Sequence, residues 1–467
     1  MKKKISVLIS SLLVLGVLIS IWLVGRICKK RYFPKKFNTI VIGIDTCRKS
    51  HMSCYGYHLR TTPHLEEFAR DSIIFTNAVT QSPWTLPAFA TFLTSTYPSV
   101  HGATGKAERG RYYSMREGLP SGVEVMFRLG IATKAFVNGP FLAPAFGFSR
   151  GFLDYDYAHG NNFRIRRANE TINQAISWIQ GNPRDRFFLF IHLFDPHMNY
   201  DPPRAYEKRL MRMANFSYQG PLQAPFSMLT EVREGQITLS PEDWTFVQLL
   251  YDAEIAYVDE YCGKLFDFLK EKRLYDRTLI IVLSDHGEEF MDHGGFEHGH
   301  TQYDELLEIP LIMKLPSNVK AGKTISSQVG LIDIMPTLLD ALSADTPESF
   351  QGKSFLRWIL EDGVEEEISA FSEETHRGEE LKAVRSDRFK LIANPAFEKQ
   401  ELYDLSADPQ EKRNLIETDP RVAARMRETL LSWMKFNSEC TERMKKANLI
   451  QLDQKTIDNL KSLGYIK

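Results

Sequence analysis

Hydrophobic and polar positions along the chain repeat one unit, an amphipathic stretch followed by a short apolar run. The first run, "NTIVIGIDT" (38–46), is rich in β-branched residues and ends in Asp45, the pattern of a strand buried on both faces. "TTPHLEEFARDSIIF" (61–75) predicts a helix and then a strand. "EVMFRLGIATKAFVNG" (124–139) and "TINQAISWIQGNPRDRFFLFIHLFDPH" (171–197) repeat that plan. The clearest unit begins at Ser240-Pro241-Glu242-Asp243, which puts proline at the first helical position and acids in the first turn. A long amphipathic helix to about Lys272 follows, then the apolar strand of "TLIIVLSDHGEE" (278–289). Such alternation predicts an α/β fold, a mostly parallel sheet flanked by helices on both faces. Residues 209 to 238 lack clear periodicity and read as an insertion, either a lid or a surface excursion.

From about Thr346 the pattern changes. "LKAVRSDRFKLIANP" and "QELYDLSADPQEKRNL" alternate apolar and polar residues, and "PRVAARMRETLLSWMKF" is an amphipathic helix. The expected organisation is a basic tail and anchor over 1–36, a catalytic domain over 37–345, and a smaller α+β subdomain with a tail over 346–467.

The anchor is predicted from residues 5 to 25, "ISVLISSLLVLGVLISIWLVG", which carry no charge and are bounded by "MKKK" and by Arg26, Lys29, Lys30 and Arg31. A run of ~20 apolar residues spans a bilayer, whereas a signal-peptide core is about 7–15, and no small-residue cleavage site follows. A single-pass membrane anchor with the body outside the cytoplasm is the expectation, since a short basic N-terminal tail stays inside.

Composition adds exclusions. Of 467 residues, 43% are hydrophobic, ample for a large core. Lys and Arg (58) balance Asp and Glu (59), which leaves no basic field for nucleic acid. Five cysteines without a CxxC spacing exclude a disulfide framework and a thiolate zinc site.

In open α/β sheets the chemistry collects at the carboxyl ends of the strands, where Asp45, His192 to His197, and Asp285-His286 all fall. Asp45, Asp285 and His286 suit a divalent ion such as Zn²⁺, Mn²⁺ or Ca²⁺. Thr85, in "SPWTLPAFATFLTSTYP" (82–98), heads a helix and reads both as its N-cap and as a hydroxyl held where an anion is stabilised. A metal would activate that hydroxyl as a nucleophile. His197 and His298 are candidates to contact substrate oxygens or protonate a leaving group. His192, His293 and His300 read as structural or supporting.

These residues sit in segments that resemble the sulfatase family of the alkaline-phosphatase superfamily. The resemblance runs through "IGIDTCRKSHMSCYGY", "SPWTLPAFATFLTSTYPSVHG", "FFLFIHLFDPHMNYDPP", "YDAEIAYVDEYCGKLFDFL", "SDHGEEFMDHG", "LYDLSADPQEKRNL" and the closing "LKSLGYI". Sulfatases carry Cys or Ser in a C/S-x-P-S/A-R motif that is converted to formylglycine. Here Thr85 takes that position and Phe89 the motif arginine's, while Thr46 replaces the second aspartate of a metal pair and Asn138 a lysine. The chain is therefore also similar to the superfamily's threonine branch of phosphoethanolamine transferases and phosphodiesterases. That resemblance implies one divalent ion on Asp45, Thr85, Asp285 and His286, with a second ion allowed. It further implies attack by Thr85, with His197 and His298 at the transferred group, and Arg48, Asn138 and His300 are expected to bind substrate. The expected activity is cleavage of a phosphate ester through a covalent Thr85 intermediate, with lipids and glycans as the candidate substrates. The alternatives are a sulfuric ester hydrolase without formylglycine, and a catalytically silent, membrane-tethered binding protein.

Overall fold

The computed structural model describes residues 33–34, 36–105, 111–158, 165–181, 186–222, 229–463 and 465. The expected anchor lies outside them; among the described residues no helix is long and apolar enough to cross a membrane.

A nine-stranded sheet organises the chain. Its strands are β1 (Asn38–Ile44), β2 (Ile73–Val79), β3 (Ala132–Asn138), β4 (Asp154–Ala158), β5 (Phe187–Leu193), β6 (Thr278–Ser284), β7 (Glu308–Lys314), β8 (Thr324–Ile325) and β9 (Val329–Gly330). The order is β8-β2-β7-β6-β1-β5-β3-β4, with β9 also paired to β2. All pairs are parallel except those of β7, which runs antiparallel to both β2 and β6. The sheet is thus mixed, with the parallel majority the sequence predicts.

Every residue of β1, β5 and β6 is buried, because both faces are covered. Alternate residues serve alternate faces. Val41, Leu279, Ile281 and Leu283 join one core, while Ile40, Ile42, Ile44, Ile280 and Val282 join the other. The first core contains helix α1 (Thr85–Thr94), buried throughout, and the second contains the long helix α2 (Pro241–Glu271).

Ser240 caps α2 as its sequence implies. Its Oγ accepts from the Asp243 N–H at 3.2 Å, and the Asp243 carboxylate accepts from the Ser240 N–H at 2.9 Å. The stretch 209–238 is more regular than expected, holding the end of a helix over Arg204–Met213 and a short one over Leu229–Arg233. A four-stranded antiparallel sheet over residues 370–404 packs against helix α3 (Pro420–Glu442) through Val384, Leu391, Leu402, Met426 and Leu430. Helix α4 (Gln454–Ser462), capped by Asp453, buries Leu460 in the first core.

Candidate active site

Three adjacent strands deliver the candidate residues. In register, Ile44 of β1 pairs with Leu193 of β5 and Ser284 of β6, so Asp45 and Asp285 leave neighbouring strands side by side. The Ser284 hydroxyl lies 2.7 Å from the carbonyls of Ile44 and His286 and accepts from the Cys47 N–H at 2.9 Å. These contacts clamp the two strand ends together. Thr46 turns the chain with a φ of 52°, a left-handed conformation costly for a β-branched residue. Its N–H then donates to Asp285 Oδ1 at 3.2 Å.

Thr85 arrives on the opposing helix. Trp84, in extended conformation, occupies the N-cap position without a side-chain cap, so Thr85 is the first helical residue rather than the cap the sequence suggested. Its hydroxyl is therefore free of capping duty. Oγ1 lies 3.4 Å from Asp45 Oδ1, to which it donates, and 3.3 Å from His286 Nε2. Close approach of α1 depends on Gly43, where a Cβ would lie 3.0 Å from the Phe89 ring. Phe89, in the place of a motif arginine, packs edge-on against His192 with centroids 5.1 Å apart.

Asp45, Asp285 and His286 are fully buried and present ligand atoms all within 4.8 Å of one another. Burial opposes ionisation of Asp45, but the His192 hydrogen bond and electrostatic interaction with the imidazoles of His197, His192 and His286 hold its carboxyl below the ordinary range. Burial and the neighbouring Asp45 charge push Asp285 well up. Burial lowers His286 to about 4 despite Asp45, so its imidazole is neutral. Oδ2 of Asp285 is buried without a hydrogen-bond donor, and Oδ2 of Asp45 faces only His192 Nε2, at 3.1 Å. Two carboxylates forced together, one with an orphaned oxygen, beside a neutral imidazole, make a donor set that suits a divalent cation.

His192, given a supporting role in the sequence, belongs to the cluster: its Nε2 stands 3.1 Å from Asp45 Oδ2. His197 and His298 also converge here, with ring centroids 5.1 Å apart and His298 4.5 Å from His286. His298 Nδ1 is held by Glu288 Oε1 at 2.8 Å, and burial drives the His298 pKa well down and that of Glu288 well up. Glu288 and Tyr465, whose hydroxyl reaches both His197 and His298, were not foreseen. The signal available for Tyr465 was the "LKSLGYI" segment, which carried a resemblance without a role.

Arg48, Asn138 and His300 make no hydrogen bond to Thr85, Asp45, Asp285 or His286 among the described residues. The Arg48 guanidinium is engaged in two bonds, 2.7 and 2.8 Å, to Asp292. The Asn138 amide donates to the His192 carbonyl and to Thr171 Oγ1, and its oxygen accepts from Arg166 Nε. It therefore braces the site from below. His300 Nε2 pairs with Glu289 at 2.8 Å. Glu289, His293 and Glu305 form another cluster of ligand-type groups. There the His293 nitrogens are already matched, by Glu305 at 2.6 Å and the Glu411 carbonyl at 3.1 Å. Beside His197 a cavity of about 240 Å³ opens, lined by Arg166, Arg167, Asp195, Asp201 and Glu254 among others.

Comparison with known proteins decides the family. The sequence model of the sulfatase family matches residues 38–344, and that of the C-terminal region of N-sulphoglucosamine sulphohydrolase matches 292–435. The chain belongs to the sulfatase family. Among family relatives, the uncharacterized sulfatase YidJ of Escherichia coli is 26% identical over 447 residues, covering 86% of this chain and 87% of its own. The N-acetylglucosamine-6-O-sulfatase of Bacteroides thetaiotaomicron is 23% identical over 473 residues, covering 82% and 83%. A solved structure in complex with its substrate D-glucosamine-2-N,6-O-disulfate superposes with a TM-score of 0.72 at 20% identity, over 86% of this chain and 98% of the other. The phosphonate monoester hydrolase of Agrobacterium radiobacter gives 0.69 at 19% identity, over 86% and 96%. The protein is accordingly a hydrolase of the sulfatase family.

Proposed function

We propose that this sulfatase-family hydrolase cleaves a phosphate ester by way of a covalent Thr85 intermediate. The carrying observation is the Thr85 hydroxyl, excused from capping and held within hydrogen-bond range of Asp45 and His286. A threonine cannot supply the formylglycine of a sulfatase proper. Asp45, Asp285, His286 and Thr85 would hold one divalent ion, Zn²⁺, Mn²⁺ or Ca²⁺, which when bound stabilises an alkoxide at neutral pH and shares the charge of phosphoryl oxygens.

The chain's own residues account for the remaining roles. The Thr85 proton leaves along its hydrogen bond to Asp45, and a bond forms from Oγ1 to phosphorus as the bond to the leaving oxygen breaks. His298 returns a proton from Nε2 to that oxygen, while His197 stands at the transferred group. Water or an acceptor hydroxyl then attacks the Thr85 ester and regenerates the hydroxyl. The cavity beside His197, with both acidic and basic walls, suits the remainder of a polar substrate such as a glycan or lipid headgroup. The uncharged run of residues 5–25 supports a membrane-held enzyme with its body outside the cytoplasm, near such substrates.

Turnover of sulfate esters is the second reading, favoured by a relative that is an N-acetylglucosamine-6-O-sulfatase. A panel of aryl phosphates, phosphodiesters and aryl sulfates separates the two, together with mass spectrometry of the Thr85 peptide after a brief substrate pulse. An 80-Da phosphoryl or sulfuryl adduct names the group, since accurate mass resolves them. Sulfate esters turned over faster than every phosphate would overturn the first reading.

A further inference from the structure

Tyr465, three positions past the end of α4, enters the site. The Tyr465 N–H donates to the Leu460 carbonyl at 2.8 Å, a turn that folds the tyrosine back towards the strand ends. Its ring packs edge-on to Phe141, centroids 4.6 Å apart, and lies 5.4 Å from His376. Its hydroxyl is 2.6 Å from His197 Nε2 and 2.8 Å from His298 Nε2.

The partners fix the direction of these bonds. His197 Nδ1 faces the Met198 carbonyl at 2.8 Å and must donate to it, which leaves Nε2 as an acceptor. The tyrosine O–H therefore donates to His197. With its one proton so used, the oxygen at 2.8 Å from His298 Nε2 must accept from Nε2–H, which makes His298 Nδ1 the acceptor of a Glu288 carboxyl proton at 2.8 Å. Two imidazoles thus converge on one oxygen. An ester or phosphoryl oxygen would accept from His298 at the same point, and two oxygens cannot share it.

We propose that Tyr465 is an internal stopper of this active site: its hydroxyl stands where an oxygen of the transferred group binds, and substrate must displace it before Thr85 reacts. The proposal rests on the role given above to His197 and His298. The hydroxyl's grip opposes opening, in addition to the packing of the ring on Phe141 and the Tyr465 N–H bond to Leu460. Removing the hydroxyl alone should ease displacement.

Inorganic phosphate and inorganic sulfate, titrated calorimetrically into the wild-type protein and into Tyr465→Phe, test this. The variant is expected to bind the better of the two anions roughly five-fold more tightly, the effect of about one net hydrogen bond. Its KM for a nitrophenyl ester should fall by a similar factor, and Tyr465→Ala should extend the change in the same direction. Equal or weaker anion binding by Tyr465→Phe overturns the stopper, as does a fall in kcat with unchanged anion affinity, which would make the hydroxyl a reacting group. His197→Ala is the control for the underlying reading. If it leaves anion binding intact in both backgrounds, the assignment of the imidazoles fails instead.

Discussion

At the residue scale, Thr85 separates two jobs that its sequence position allowed to coincide. Trp84 holds the cap position, so Thr85→Ala removes a hydroxyl without removing a cap. Turnover of the best ester should fall by roughly a thousand-fold or more, the scale of losing a nucleophile, while the melting temperature moves little. A loss of stability in proportion to activity would return Thr85 to a structural role. Asp285 carries the opposite signature. Burial first, and then the neighbouring Asp45 charge, push its carboxyl well up. Asp285→Asn relieves the repulsion, so the variant should melt above the chelator-treated wild type. Plasma emission analysis should show its bound divalent metal lost. A variant that keeps the metal would remove Asp285 from the ligand set.

At the scale of elements, α2 tests how far local sequence acts alone. Its capping box satisfies two N–H groups at an exposed helix start, so Ser240→Ala should cost about 1 kcal/mol in urea unfolding. That helix start was legible because the cap, the proline and the first-turn acids are contiguous. The strand ends carrying Asp45 and Asp285-His286 were legible for the same reason: an apolar run stopping at a carboxylate needs only its own neighbours. What could not be read depends on distant partners. The reversed direction of β7 is set by pairing with β2 and β6, and nothing within "EIPLIMK" distinguishes parallel from antiparallel. Arg48 and His300 look like substrate ligands until Asp292 and Glu289 are seen to occupy them. Asn138 is likewise consumed by His192 and Arg166. Tyr465 meets His197 across 268 positions of sequence, a contact no window can contain.

At the scale of the whole molecule, two histidines packed against the α1-side core are neutral when folded, and these set the acid limit of stability. His101 is fully buried on the α1 side, where its Nδ1 accepts from the Ala103 N–H at 3.0 Å and its Nε2 lies 3.2 Å from Thr91 Oγ1. Burial lowers it to about 3, and His376, beside Trp84, is likewise lowered by burial to about 3. In the unfolded chain both titrate near 6.5. Between about pH 3 and 6.5 the unfolded state therefore binds more protons than the folded one, and stability rises with pH across that window. The contribution is complete above about 6.5 and is lost progressively as pH falls towards 3. Protonating His101 would also turn an acceptor towards the Ala103 N–H into a donor, which removes a hydrogen bond as well as burying a charge. Urea unfolding at pH 5, 6 and 7.5 should show this slope, and His101→Gln, which cannot take up the proton, should flatten it. The variant would be less stable than wild type at pH 7.5 and closer to it at pH 5. Parallel stability–pH curves would mean that His101 titrates alike in both states, and that the acid limit lies in the carboxylates of the site.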